Sequence, residues 1–413
     1  MTILAIFSGT FCNAETIIDG CRQKTGQKLI TDDTLVSEAA RLSGLTEKKI
    51  EAAFSAKASV FNPFTHEKER AIAYLRLALA ELLDAEKQII SGFSSLLIPP
   101  DITHVMRVCL IADGKSRVET ARQQKNMSEK DAGALIRRHN EQASAWAKAV
   151  KNEDDPWMPE LYDMVVPTDK TEAGKAVELI VQHLTADVVQ PTNRSRQAVA
   201  DFQLAARAGE VLARAGHNVT TRARDGKITI TINKHVLMLA RLEEELKSLV
   251  EKVDGVRQVE TKVGENFYQT DIYRKYDFQM PSKVLLVDDE REFVQTLSER
   301  LIMRDMGSAV AYDGESALNM VAEEEPEVMI LDLKMPGIDG IEVLRKVKAT
   351  RPDIEVIILT GHGSEADRAV CMELGAFAYL QKPVDIEVLS NTLKKANEKV
   401  QQQKQTGGNT GNA

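Results

Sequence analysis

Five side chains stand at the ends of apolar runs, where distant parts of a chain can build one chemical site. VLLV leads into Asp288 and Asp289, VMIL into Asp332, VIIL into Thr360, and AYLQ into Lys382 ahead of Pro383. Runs so short and apolar read as buried strands of a parallel sheet. In open α/β sheets ligands bind beyond the carboxyl ends of the strands, so these residues can converge. Three carboxylates brought together repel one another and raise each other's pKa. A Mg2+ ion resolves the repulsion, because it takes hard oxygen ligands and keeps several waters. Each piece alone is weak, since acidic pairs cap helices, Thr-Gly makes turns and Lys-Pro makes bends. Their joint placement at four strand ends carries the reading.

Helical stretches at 290–304, 314–324, 339–350 and 364–373 separate the runs, giving alternating strands and helices. Over residues 282–400 the pattern resembles the receiver domain of two-component response regulators. That resemblance implies a flavodoxin-like (βα)5 fold with strand order 2-1-3-4-5. It implies Mg2+ held directly by Asp289 and Asp332, through water by Asp288, and by the backbone carbonyl of Lys334. Asp332 is then the phospho-acceptor, taking its group from a phosphohistidine on a sensor histidine kinase or phosphotransfer protein. Lys382 neutralises oxygens of the transferring group, Thr360 bonds the new phosphate, and Tyr379 turns inward behind it. The Lys382–Pro383 peptide is expected to be cis.

A second candidate site lies at the start of the chain. SGTFCNAET follows the apolar run from Ile3 to Phe7 and precedes a helical stretch. A phosphate-binding loop has the form G-x-x-x-x-G-K-[ST] between a strand and a helix. Gly9 and Thr16 keep that spacing, but Ala14 replaces the second glycine and Glu15 the lysine. Attraction and repulsion between unit charges ~4 Å apart are each worth about 4 kcal/mol at an effective dielectric of ~20. Exchanging one for the other penalises a bound triphosphate by several kcal/mol.

Residues 1–186 resemble the cytidylate kinase-like family of P-loop proteins. The resemblance rests on the opening strand and loop, on HVMRVCLIADGKSRVE, on SEKDAGALIRRHNEQASAW and on LYDMVVPTDK. Phe93 in SGFSS stands where that family has an arginine, and the family's Asp and Arg are missing near His139 to Gln142. Lys115, Arg117, Arg122, Arg137 and Arg138 remain as candidate anion contacts, though a solvated basic helix face is the better account of them. The expected outcome is a degenerate P-loop domain with its catalysis lost, and nucleotide binding is left open.

Between these blocks, VVQPTNRSRQ (188–197) reads as a linker, and 198–264 as a small α+β unit of helix, hairpin, helix and strand. Asp225-Gly226 between two alternating runs is a strong hairpin signal. This unit resembles the BON domain through DGKITI and VDGVRQVETKV. Residues 265–281 form an aromatic-rich connector: Phe267, Tyr268, Tyr273, Tyr276 and Phe278 are five of the chain's 20 aromatics. That density is expected to pack on a neighbouring domain or a second subunit, since flexible linkers avoid aromatics. Residues 401–413 have the composition of a disordered tail.

The fold class is therefore α/β multidomain. With 413 residues, 43% hydrophobic and 28% charged, the chain is expected to hold two to four domains. A net charge of −9 argues against a sequence-independent nucleic-acid binder, which needs a basic face. Four cysteines without pairing motifs suit a reduced cytosol as buried thiols. No run reaches the roughly 20 apolar residues of a membrane span, and the N-terminus has no basic leader, so a cytoplasmic location is expected. The leading expectation is an atypical response regulator whose output is protein interaction. The alternative is a phosphorylation-regulated cytidylate kinase, and a homodimer is left open.

Overall fold

The computed structural model describes residues 2–407 except 58, 84–86, 237, 265, 266, 268–280, 282 and 305. The chain forms two compact units, residues 1–58 with 67–273, and residues 59–66 with 274–413.

In the first unit, five strands make a parallel sheet: β1 (Ile3–Ser8), β2 (Lys28–Thr31), β3 (Gln88–Ser91), β4 (Val105–Ile111) and β5 (Met164–Pro167). Their order is β2-β3-β1-β4-β5, so β1 lies at the centre with β3 and β4 beside it. Successive strand residues face opposite sides. Ile3, Ala5 and Phe7 accordingly enter one core with Leu35, Leu75, Leu79 and Trp146. Leu4 and Ile6 enter the other, with Ile17, Cys21, Val177 and Ile180 from the helices Ala14–Thr25 and Ala173–Leu184. A sheet buried on both faces needs such unbroken apolar strands.

The helix Asn193–Arg214 begins inside the expected linker, where Thr192 and Ser195 form a reciprocal capping box. Ser195 is fully buried, with its Oγ 2.9 Å from His104 Nδ1. One face of this helix places Val199, Phe202 and Ala206 in the first core. Another places Leu204, Ala208 and Leu212 against a three-stranded sheet. That sheet comprises β6 (Thr220–Arg224), β7 (Lys227–Ile232) and β8 (Gln258–Val263), with β6 antiparallel and β8 parallel to β7. Asp225 (φ 49°) and Gly226 (φ 81°) give the two left-handed residues that a two-residue hairpin turn requires. Phe267 of the aromatic connector is buried in the same small core; Tyr268, Tyr273, Tyr276 and Phe278 lie outside the described residues.

The second unit holds another parallel sheet: β9 (Val284–Val287), β10 (Ser308–Ala311), β11 (Val328–Leu331), β12 (Glu355–Thr360) and β13 (Ala378–Gln381). Its order, β10-β9-β11-β12-β13, is the expected 2-1-3-4-5. Every residue of β9, β11 and β12 is buried. The last helix, Ile386–Gly407, continues through residues expected to be disordered; 408–413 lie outside the described residues. A 22-residue helix tolerates a polar end, because its buried positions Leu389, Leu393, Ala396 and Val400 anchor the preceding turns. No described helix is long and apolar enough to cross a membrane.

Candidate functional site

β9, β11, β12 and β13 are parallel, so their carboxyl ends open on one edge of the sheet. Backbone hydrogen bonds fix the ends in register: Asp332 N–H donates to the Val287 carbonyl at 2.9 Å, and Lys382 N–H to the Thr360 carbonyl at 2.9 Å. The Lys382 ammonium lies 2.7 Å from Asp288 Oδ2 and 3.7 Å from Asp332 Oδ1. Their other oxygens accept backbone N–H groups, from Glu290 to Asp288 Oδ1 and from Lys334 to Asp332 Oδ2, both at 2.9 Å. Both carboxylates are buried. Burial pushes the Asp288 carboxyl above its ordinary range, against the bonds from Lys382 and the Glu290 N–H. For Lys382 burial works against the charge, but hydrogen bonds to Asp288 and Glu290 hold its pKa above the usual lysine value.

Asp289, one residue further on, is exposed. Thr360 is fully buried, and its Oγ1 accepts the His362 N–H at 3.3 Å. The Tyr379 hydroxyl is buried and has no hydrogen-bond partner among the described residues. It fills the space that a side chain at Gly363 would take, beside the Thr360 methyl. The Lys382–Pro383 peptide is cis. Three neighbours of the site carry no local sequence signal. Glu290 Oε1 is 3.0 Å from the Lys382 ammonium, and the Phe293 ring centroid is 4.4 Å from it. Gly340 lets the next helix approach so closely that a Cβ would stand 2.1 Å from the Asp332 carbonyl oxygen.

The two buried carboxylates, Asp288 and Asp332, with the exposed Asp289 next to the first in sequence, are oxygen donors of the kind a hard cation takes. Among the described residues no three His, Cys, Asp or Glu side chains close into a metal cage. An ion that keeps several waters needs no such cage.

The N-terminal loop has a different interior. Gly9 is buried, with its N–H on the Leu110 carbonyl at 3.1 Å, while Glu15 and Thr16 are exposed in the first turn of the helix that Ala14 begins. An acidic residue there complements the helix dipole, a structural use for the charge that replaces lysine. Lys115, Arg122, Arg137 and Arg138 are exposed, as a solvated face predicts. Arg117 departs from that expectation. It is buried, its Nε donating to the Thr10 carbonyl at 2.8 Å and its Nη2 to Asn140 Oδ1 at 3.1 Å. Its guanidinium thus lies across the loop that would otherwise receive phosphate. Phe93 packs 5.5 Å from Phe54, 6.0 Å from Phe7 and 5.3 Å from the His139 ring. Burial, and then the Arg117 charge, hold the His139 pKa down at about 4. All four cysteines are free and buried.

Comparison with known proteins agrees with this division. Residues 284–394 match the response regulator receiver domain, and residues 12–170 match the cytidylate kinase-like family. Response regulators MprA of Mycolicibacterium vanbaalenii and Mycobacterium tuberculosis are each 36% identical over 110 residues, 27% of this chain and 48% of theirs. The chain thus spans about half the length of those relatives. A receiver domain from Clostridium thermocellum is 34% identical over 29% of this chain and 97% of its own, with a TM-score of 0.28. A CheY-like receiver from Methanospirillum hungatei is 25% identical over 29% and 96%, with a TM-score of 0.29. The family matches cover residues 12–170 and 284–394, and the BON resemblance of residues 198–264 rests on its sequence pattern. With its family match and its buried Asp–Lys–Asp cluster, the C-terminal unit carries a response regulator receiver domain, and the chain joins it to a cytidylate kinase-like domain.

Proposed function

We propose that this chain is an atypical cytoplasmic response regulator, phosphorylated on Asp332 and acting through protein contacts of an N-terminal region that has lost kinase catalysis. The carrying observation is the Lys382 ammonium held between Asp288 and Asp332 where the strands end. A receiver domain supports a phosphorelay role and implies a histidine kinase or phosphotransfer protein as donor. Asp289, Asp332 and the Lys334 carbonyl would hold Mg2+, with Asp288 through water. When bound, that ion neutralises oxygens of the transferring group.

Asp332 supplies the nucleophilic oxygen. Its bond to phosphorus forms as the bond from phosphorus to the donor imidazole nitrogen breaks, and that nitrogen keeps the electron pair. Lys382 carries a positive charge beside Asp332 that can neutralise oxygens of the same group. Thr360 and Tyr379 are the switch residues. The inward Tyr379 hydroxyl beside Gly363 supports a coupling between Thr360 and the surface formed by residues 361–384.

The deciding experiment is labelling of the full chain by acetyl phosphate, with Asp332→Ala as the comparison. Wild type should take up one phosphoryl group and the variant none; stoichiometric labelling of the variant overturns the assignment. The alternative, a phosphorylation-regulated cytidylate kinase, draws on the match over residues 12–170. Glu15, Phe93 and the Arg117 side chain across the loop weigh against it. A coupled assay with ATP and CMP or dCMP separates the two readings, since turnover of about 1 s⁻¹ or more is that of a working enzyme. The small unit is read as a BON-like interaction module, supported by its order of helix, hairpin, helix and strand.

A further inference from the structure

We infer that Glu290 is a positioning residue that parks Lys382 away from the phospho-acceptor; the inference rests on the receiver reading of the site. Three carboxylates surround the lysine ammonium, at 2.7 Å (Asp288), 3.0 Å (Glu290) and 3.7 Å (Asp332). The acceptor is the most distant of the three. The turn itself sets this arrangement. Glu290 N–H donates to Asp288 Oδ1 just ahead of the helix Arg291–Ile302, and the Glu290 side chain reaches Lys382, which follows β13 and stands 92 residues later in the chain. Phe293, in the first turn of that helix, presents its ring to the same ammonium. Glu290 and Phe293 therefore hold the cation toward this helix.

A phosphoryl group on Asp332 adds oxygens beyond the carboxylate that Lys382 now barely reaches. To neutralise them the ammonium must leave Glu290. The Glu290 side chain is 67% exposed, so its hold is that of a surface ion pair, screened by salt. It acts as a weak brake, favouring the empty site over the loaded one.

The test is calorimetric binding of beryllofluoride with Mg2+ to the full chain, comparing wild type with Glu290→Gln. The variant should bind roughly threefold to fivefold more tightly at low salt, about 0.7–1 kcal/mol at 1.4 kcal/mol per decade. The gap should narrow at 0.5 M salt. A merely structural residue would not move the Lys382 ammonium resonance in lysine-15N spectra, identified by its loss in Lys382→Arg; Glu290→Gln should shift it. Equal or weaker binding by the variant, or an unmoved resonance, overturns the inference while leaving the receiver reading intact. Failure of the wild type to bind beryllofluoride at all overturns both.

Discussion

The two parallel sheets of this chain make an instructive pair. Each has five strands, is buried on both faces and collects side chains at the ends of its strands. At the receiver sheet those side chains are charged, with Lys382 between Asp288 and Asp332. At the N-terminal sheet the equivalent region is filled by Phe7, Phe54, Phe93 and Trp157, and its buried cation is bonded to the protein's own Thr10 carbonyl and Asn140. A layer architecture is retained by its apolar strands and helices, whatever happens at the loops. Chemistry depends on a few polar groups left unsatisfied by the protein itself, and those can be lost one at a time.

The sharpest way to break this contrast is Lys382→Met. Removing the cation leaves two buried carboxylates facing each other, so phosphoryl acceptance should fall on the order of 100-fold. Stability of the C-terminal unit should fall by about 2–3 kcal/mol without Mg2+. Acetyl phosphate labelling and urea unfolding measure the two effects. Gly340→Ala should come next. Its methyl group would press into the Asp332 backbone, and overpacking of this kind lowers stability by about 2 kcal/mol; the urea midpoint reads it directly.

On the N-terminal side, Glu15→Lys should raise affinity for ATP by roughly tenfold, less than the several kcal/mol of an unscreened pair because position 15 is exposed to solvent. Turnover with CMP should still be absent, because Phe93 and Arg117 are unchanged. Calorimetry and a coupled assay give the two answers, and a variant that turns over would erase the distinction between the sheets. The smallest effect concerns His139. Its ring takes a proton more readily in the unfolded chain (ordinary pKa about 6.5) than in the folded one, where burial holds it at about 4. The stability it preserves is complete above pH 6.5 and is lost as pH falls toward 4. Discounted for partial solvent access, the loss is about 1 kcal/mol. It should vanish in His139→Phe, measured by unfolding across that pH window.

Much of the receiver was legible because its strands are apolar runs and its site residues directly follow them. Asp288, Asp332 and Lys382 come together at the strand ends of the parallel sheet. The edge strand β10, SAVA, gives no long apolar run to read, since it is short and half-buried in part. Glu290 and Phe293 were invisible for a different reason: their role is a contact with a lysine remote in sequence, which no local pattern encodes. Arg117 looked like one of several basic residues on a helix face. Only the approach of that helix to the first loop separates it from Lys115 and Arg122. The stretch at 188–197 read as a linker by composition, yet its Thr192 and Ser195 are helix-capping residues. Polar residues serve loops and helix starts alike.

The helix Asn193–Arg214 also dictates how the protein can be divided for experiment. A cut just ahead of it, at the polar stretch composition recommends, would strip Val199, Phe202 and Ala206 from the neighbouring interior. The N-terminal fragment would then be left with an open apolar trough, a known invitation to aggregation. Insolubility of such a fragment would say nothing about nucleotides; a usable piece has to run past Val263, with its borrowed helix still in place.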